Sequence, residues 1–327
     1  MCSVNRRNSI DVLRVISAIA VVTIHIVTAP VGNAAEDIKI STLEILNLIH
    51  NLMLWAVPVF FMITGYCLMK KEECGYRYCL KHVLKYTIVL FTVGLGYALM
   101  EQLFCNRSFS FGIVGAAFLN VIRGNLWAHM WFVYAIIGIY LVMPLLHSFI
   151  KYREKEFYIL TLLLFVFTIV LPSFKQFFQV GIQFPLGGYL FYVCYGGVIA
   201  KYKSDREKEK ILYFLGVIAF LYVICCGKIV TLEYMDVNIA LIAMAIFTFI
   251  EGLNIKVRNL IKVIAECTWG IYLIHPIFIN IALKFLKLEL LSALPYIKLV
   301  LFELIILFIS FSLTFVLRKI PFLKKII

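Results

Sequence analysis

The sequence has few charged residues and very few acidic ones. Only 15% of its 327 residues are charged, with 18 aspartates and glutamates against 31 lysines and arginines. An ordinary soluble domain is about a quarter charged and about half apolar, whereas 63% of this chain is hydrophobic. The shortage of charge extends along the whole length, so it excludes an ordinary soluble protein and predicts a polytopic membrane protein.

The sequence also lacks the motifs of several chemistries. It has no GxxxxGK[ST] phosphate loop, no GxSxG nucleophile elbow and no HExxH zinc motif. Its nine cysteines show no metal-ligand spacing, so we expect no metal site and no bound cofactor. Cys74 and Cys79 are expected to be free thiols on a cytoplasmic loop. With covalent and metal mechanisms disfavoured, a histidine acting as general base is the chemistry that the sequence offers most plainly.

Long apolar stretches recur from one end of the chain to the other. We predict an all-α fold of about ten transmembrane helices in a single domain, 1–327. A signal peptide is disfavoured because Arg14 lies at the start of the first stretch, which is also long for such a segment. The stretch Ser108–Ile122 is short and contains glycine, which favours a re-entrant or interfacial segment. The predicted spans are 11–31, 45–69, 83–104, 127–149, 157–173, 182–200, 211–228, 236–253, 262–284 and 296–317.

The basic residues are distributed unevenly between the two sides of these spans. Of the 31 lysines and arginines, 22 fall in the N-terminal segment and in every second connection after it, and 8 fall in the others. Cytoplasmic loops carry the excess of lysine and arginine, so we predict that both termini are cytoplasmic. Basic loops between apolar spans meet anionic lipid, and we therefore expect no nucleic-acid partner.

The first span contains two polar side chains that are unfavourable to place in lipid, Arg14 and His25. Eleven residues turn an α-helix through three turns plus about 20°, so both side chains share one face, about 16 Å apart along the axis. Asp11, three residues before Arg14, can pair with it. Arg14 is either a snorkelling anchor or a ligand clamp, and His25 either makes a structural hydrogen bond or acts in function.

Other polar residues are expected at two depths. His275 in the ninth span and Glu303 in the tenth lie at about the level of His25 by the helical rise, so the three could form a polar chamber. The remaining candidates lie near the rims, where either an interfacial belt or a binding role fits. They are His50, Asn51, Glu101, His129 and Trp131 at the outer rim, as acceptor-binding candidates, and Tyr66, Lys70 and Lys71 at the inner rim, as donor-binding candidates.

Four segments carry a resemblance to a known family. They are "IDVLRVISAIAVVTIHI", "VPVFFMITGYCL", "HMWFVYAIIGIYLVMPLL" and "WGIYLIHPIF". In this order, and on a frame of ten spans, they resemble the acyltransferase-3 family of bacterial envelope acyltransferases. The resemblance covers essentially the whole chain and is greatest to compact O-acetyltransferases that modify surface polysaccharides. The usual Ser-Gly of the second motif is Thr64-Gly65 here.

The resemblance implies a function. Such proteins lie in the bacterial cytoplasmic membrane. They move an acyl group, usually acetyl, from cytoplasmic acyl-CoA to a hydroxyl of an extracytoplasmic or lipid-linked glycan. The family's essential arginine and histidine correspond to Arg14 and His25. We therefore expect His25 to act as general base, with Arg14, His275 and Glu303 beside it in catalysis, and acetyl-CoA as donor substrate. The alternatives are a transporter or flippase, or a non-catalytic subunit of a polysaccharide assembly system. Nothing in the sequence indicates the oligomeric state.

Overall fold

The computed structural model describes residues 8–33, 38–106, 111–173, 187–202 and 206–327. Regular secondary structure in these residues is helical, and no strand occurs in them. An all-helical fold follows from the composition, because a helix satisfies its own backbone hydrogen bonds where no water is available. The structure thus confirms the all-α fold of a polytopic membrane protein.

The described residues up to Tyr152 form seven α-helices. A π-helical segment, Leu90–Gly94, continues α4 directly into α5, and a short 3₁₀ turn, Ala128–Met130, precedes α7. The helices are α1 (Asn8–Asn33), α2 (Ile40–Met53), α3 (Ala56–Met69), α4 (Tyr76–Val89), α5 (Leu95–Asn106), α6 (Phe111–Arg123) and α7 (Trp131–Tyr152).

The second half repeats the pattern of long helices with π-helical continuations. Val166–Val170 joins α8 to α9, and Ile281–Phe285 extends α13. The helices are α8 (Glu154–Phe165), α9 (Leu171–Ser173), α10 (Tyr189–Lys201), α11 (Arg206–Cys226), α12 (Val237–Gly252), α13 (Asn259–Asn280), α14 (Pro295–Leu317) and α15 (Pro321–Ile326).

Each predicted span overlaps one or more of the described helices, and these helices differ in length. Within the part of the chain that the structure describes, eight are long and apolar enough to cross a membrane by length and composition. Val237–Gly252 is a shorter apolar helix, and Tyr189–Lys201 has 13 residues, with the start of its predicted span outside the described residues. The stretch predicted as re-entrant or interfacial forms α6, which packs against α5.

The connections predicted to share a side of the membrane contact one another. On the predicted inner side, the Asn8 amide donates to the carbonyl of Ile255 at 2.9 Å, and the Nε2 of His147 lies 2.9 Å from the carbonyl oxygen of Lys71. On the predicted outer side, Lys284 pairs with Glu101. These contacts place the two segments of each pair at the same end of the helix bundle.

Helix α1 is central, because it packs against α2, α3, α12, α13 and α14. Behind it, α3 and α10 cross at two glycines. A Cβ atom built at Gly65 would lie 1.9 Å from the carbonyl oxygen of Val193, and one at Gly196 would lie 2.0 Å from that of Met62. The two backbones therefore touch directly, which is how small residues bring membrane helices together. This contact holds one wall of the site in place.

Candidate active site

A cavity of about 610 Å³ lies beside α1 and extends along it. Arg14 and Lys71 line it at the predicted inner end, and His25 and Trp131 line it towards the predicted outer end. The other walls come from α3, α4, α7, α13 and α15. A single cavity therefore joins the arginine and the histidine whose helical spacing placed them on one face.

Three of the six histidines come together at this cavity, from three different parts of the chain. The ring centroids of His25 and His275 are 5.2 Å apart, those of His25 and His129 are 6.2 Å apart, and those of His129 and His275 are 6.0 Å apart. His25 and His129 line the cavity, while His275 is fully buried. Among the described residues, no group of histidine, cysteine or acidic side chains could hold a metal ion.

The tautomer of His275 is set by its own helix. Its Nδ1 lies 2.9 Å from the carbonyl oxygen of Ile271, so Nδ1 carries the proton and donates, and Nε2 keeps a lone pair. That Nε2 is buried and has no hydrogen-bond partner in the described part of the chain. A buried acceptor without a partner costs folding free energy, which makes this atom a candidate for a functional contact.

His129 is held by a hydrogen bond to its backbone, and one nitrogen of its ring has no partner among the described residues. Its carbonyl oxygen accepts a hydrogen bond from the Tyr272 hydroxyl on α13. Its Nε2, like that of His275, is buried without a partner in the residues that the structure describes. Two ring nitrogens next to His25 are therefore buried without a hydrogen-bond partner among the described residues.

Arg14 is fixed at the other end of the cavity. Its Nη1 lies 3.3 Å from Oδ1 of Asp11, which confirms the predicted pair. Its Nη2 lies 3.7 Å from the Sγ of Cys67 on α3. The Asp11 side chain is fully buried, whereas that of Arg14 is 26% exposed. Asp11 and Cys67 thus hold the guanidinium at the cavity wall, where it can meet an anionic ligand.

The inner end of the cavity is strongly basic. Glu266 is the one acidic residue among the described lining residues, and it is paired with Arg318 at 3.1 Å. A cleft lined by charges of one sign attracts ligands of the opposite sign. The lysines that line this end are Lys71, Lys85, Lys324 and Lys325.

Two of the predicted donor-binding residues lie outside the lining of this cavity. The Tyr66 hydroxyl donates to Oε1 of Glu251 at 2.6 Å, and the Nζ of Lys70 donates to the Tyr66 oxygen at 3.1 Å. This network joins α3 to α12. Arg14 and Lys71 are the predicted donor-binding residues that do line the cavity.

Glu303 lies at the predicted depth but on another face of α1. Its Oε1 accepts a hydrogen bond from the Thr23 hydroxyl at 2.6 Å. Thr23 and His25 are two residues apart, which places them about 200° apart around the helix. Glu303 is not among the residues that line the cavity, so the structure does not bring it to the histidine cluster.

Three of the five predicted outer-rim residues, His50, Asn51 and Glu101, do not line the cavity. Asn51 is fully buried; its Nδ2 donates to the carbonyls of Gly227 and Val230, at 2.9 and 2.7 Å, and its Oδ1 accepts from the amide of Leu232. Glu101 accepts from the Trp127 indole at 2.9 Å and from Lys284 at 3.0 Å. His50 is half-buried on α2 and does not line the cavity. His129 and Trp131 do line it.

Comparison with known families identifies the chain. Residues 7–319 match the acyltransferase-domain family Acyl_transf_3. The chain belongs to the acyltransferase-3 family. This match confirms the predicted family and establishes a membrane acyltransferase. Comparisons with curated proteins and with solved structures gave no match.

The cavity is also lined by residues that the sequence did not indicate. Trp269 and Tyr272 stack on each other at 5.3 Å and line the cavity between its two ends. His82 and Lys85 on α4 line the inner end. The sequence gives only the spacing of these residues along their own helices. That spacing does not reveal which helices are neighbours, so it could not place these residues at the cavity.

Proposed function

We propose that this acyltransferase takes an acyl group, most simply acetyl, from cytoplasmic acyl-CoA. It transfers the group to a hydroxyl of an extracytoplasmic or lipid-linked envelope glycan, and it works in the bacterial cytoplasmic membrane. The observation that carries the proposal is the cavity that joins a basic inner end to the cluster of His25, His129 and His275. This arrangement suits a donor with an anionic nucleotide, a long thin arm and a reactive thioester at the end of that arm.

The distance between the two ends supports the same donor. Arg14 and His25 are about 16 Å apart along α1, which is of the order of the reach of a pantetheine arm. With the phosphates at the basic end, the thioester would lie beside His25. The aromatic side chains that line the cavity beside the histidines, among them Trp131, Phe132 and Tyr272, would limit the access of water, which would otherwise hydrolyse the thioester.

His25 acts as general base in this proposal. It takes the proton of the acceptor hydroxyl, whose oxygen attacks the thioester carbonyl carbon. The new carbon–oxygen bond forms, the carbon–sulfur bond breaks, and the proton passes from His25 to the sulfur of the departing CoA. Each proton transfer accompanies the formation or loss of a bond, so little charge develops on the acceptor oxygen and on the departing sulfur.

His275 and His129 support this reaction from either side. The lone pair on the Nε2 of His275 can accept an N–H from the adjacent ring of His25, which would hold the His25 ring with its other nitrogen free to act as base. His129 lines the cavity beside it and can hydrogen-bond the acceptor or the thioester carbonyl.

The outer end of the cavity supports a carbohydrate acceptor. Trp131 lies 5.7 Å from Tyr234 and 4.9 Å from Tyr189, centroid to centroid, and Trp131 and Tyr234 line the cavity. The C–H faces of a sugar ring pack on such aromatic faces, while its hydroxyls remain available to polar groups.

The proposal is tested by replacing His25 with glutamine, which keeps a polar side chain and removes the base. We expect acylation of the surface glycans, measured by mass spectrometry at matched membrane levels, to fall by about 10²–10⁴-fold. The control is His147→Gln, because His147 lies outside the cavity and glutamine can still reach the carbonyl of Lys71. Undiminished acylation in His25→Gln would overturn the assignment of the base.

A second readout separates the enzyme from a transporter or an accessory subunit. Purified protein supplied with acetyl-CoA and the extracted glycan should release CoA in step with acylation of the glycan. A transporter would move glycan without releasing CoA. Release of CoA that does not depend on the glycan would contradict a glycan acceptor.

A further inference from the structure

The short helix α15 lies at the inner end of the cavity in a fixed position. Its Ile326 carbonyl accepts a hydrogen bond from the Trp269 indole at 3.0 Å, and the helix also contacts α4. Just before α15, the guanidinium of Arg318 donates to the carbonyl of Glu266 at 2.7 Å. Contacts to α13 and α4 therefore hold α15 against the opening of the cavity.

Helix α15 places two adjacent lysines at this opening. Lys324 and Lys325 are exposed and line the cavity. They lie on the same rim as Lys85 and Arg14, while the nearby carboxylate of Glu266 is engaged by Arg318 at 3.1 Å. Like charges repel one another, so a rim of this composition is stabilised when an anion binds to it.

We propose that Lys324 and Lys325 bind the phosphates at the nucleotide end of the donor. They would thereby select a CoA thioester that is free in solution over an acyl group carried on a protein-bound phosphopantetheine. The inference rests on the proposed function, because it concerns the donor of that reaction. It assigns the binding site to α15, a segment that none of the four family-like motifs includes.

The chemistry of the two possible donors supports this choice. The nucleotide end of CoA carries a diphosphate and a separate 3′-phosphate, whereas a carrier-bound arm has only a phosphodiester. Ammonium groups bind phosphate oxygens as point charges without demanding one geometry. Two adjacent lysines on a surface helix, beside Lys85 and Arg14, can therefore engage a cluster of phosphates at the opening.

The position of the rim relative to the histidines fits a donor that spans the cavity. Trp269, which holds α15, precedes His275 on α13 by six residues, or about 9 Å of helical rise. Trp269 and Tyr272 line the wall between them. A phosphate group on Lys324 or Lys325 would thus sit below the arm, and the arm would run along this aromatic wall to His25.

The test uses the full chain in lipid nanodiscs and measures binding by calorimetry. The ligands are CoA, dephospho-CoA, which lacks the 3′-phosphate, and pantetheine. The variants are the pair Lys324→Gln with Lys325→Gln, and the charge-retaining pair Lys324→Arg with Lys325→Arg. The control pair is Lys81→Gln with Lys155→Gln, since these two exposed lysines lie on the predicted inner side and do not line the cavity.

We expect the glutamine pair to weaken CoA binding about tenfold or more, since each charged hydrogen bond contributes substantially to affinity. The preference for CoA over dephospho-CoA should shrink, and pantetheine binding should not change. The arginine pair and the control pair should bind CoA as the original protein does.

Two results would overturn the inference while leaving the proposed function intact. One is a glutamine pair that binds CoA as tightly as the control pair and still transfers acyl groups from acetyl-CoA. The other is equal binding of CoA and dephospho-CoA by the original protein. A protein that binds no CoA and transfers acyl groups only from a carrier protein would overturn both the inference and the proposed donor.

Discussion

At the scale of single residues, the site is organised around ring nitrogens that the protein leaves unsatisfied. His275 is fully buried, with Nδ1 engaged by its own helix. Its Nε2 has no partner among the described residues. A buried acceptor without a partner costs folding free energy, and leucine at this position would not carry that cost. In the proposed function this atom orients the His25 ring, which would be a physical reason for a histidine at this position.

Replacing His275 with leucine should therefore separate stability from activity. A buried acceptor without a partner destabilises the folded protein by about 1–3 kcal/mol, and the substitution removes this acceptor. We expect the melting temperature in detergent to equal or exceed that of the original protein. Turnover should fall about tenfold or more, because the His25 ring loses the group that orients it, while the KM for acyl-CoA should not change. A variant that keeps full turnover would show that His275 is only structural.

Arg14 should act on donor binding more than on the chemical step. Replacing it with lysine keeps the charge but removes the planar fork that Asp11 and Cys67 hold in place. We expect the KM for acyl-CoA to rise about tenfold, with a smaller change in kcat. Steady-state kinetics on purified protein measure both KM and kcat. An unchanged KM would contradict a role in donor binding and would favour a membrane anchor.

The positions of some residues could be predicted from the sequence, but not their neighbours. The helical repeat correctly placed Arg14 and His25 along one cavity. The helical rise gave the depth of Glu303 in the membrane. It could not show that Glu303 contacts the face of α1 that carries Thr23. Asn51 was expected at a binding mouth, yet its amide holds the loop of Gly227 and Leu232. Depth follows from local geometry, whereas partners depend on how distant helices pack.

At the scale of secondary-structure elements, the crossing of α3 and α10 sets one wall of the cavity. Gly65 follows Thr64 in the second family-like motif, and its backbone touches that of Val193. The sequence could show that this motif matched the family, but the reason for the glycine became clear only when α10 was found against it. A motif of this kind specifies packing as much as chemistry.

Replacing Gly65 with alanine should disrupt this crossing. The new Cβ would lie 1.9 Å from a backbone oxygen, so the helices must separate, at a cost of about 1–3 kcal/mol or more. We expect a lower melting temperature and a lower amount of protein in the membrane. Gly138→Ala is the control, because nothing lies within 4 Å of a Cβ at that exposed position. Equal stability of the two variants would contradict the close approach.

Helix α15 shows a limit of reading elements from sequence. The charge distribution predicts that its lysines lie on the inner side of the membrane. Their place at the cavity depends on the hydrogen bond between Trp269 and the carbonyl of Ile326, two residues that are far apart in the chain. The charge distribution predicts a side of the membrane, whereas the position of the lysines at the cavity depends on a tertiary contact.

At the scale of the whole molecule, the proposed function requires one cavity to receive its two substrates from opposite sides. The basic rim with Lys324 and Lys325 faces one end, and Trp131 with Tyr234 lies at the other. The hydropathy pattern was enough to predict the helical membrane fold, because helices are the simple way to satisfy a backbone in lipid. The cavity itself could not be predicted, since it is the space left between helices that are far apart in the sequence, namely α1, α3, α4, α7, α13 and α15.

The most direct measurement uses sealed membrane vesicles of known orientation that contain the natural acceptor. Acetyl-CoA with a labelled acetyl group, which does not cross the membrane, is added to the outside. The account predicts labelled glycan in inside-out vesicles, where the basic rim faces the added donor, no label in right-side-out vesicles, and no label in either with His25→Gln. Equal labelling in both orientations, or labelling that survives His25→Gln, would contradict a transfer through this cavity with His25 as its base.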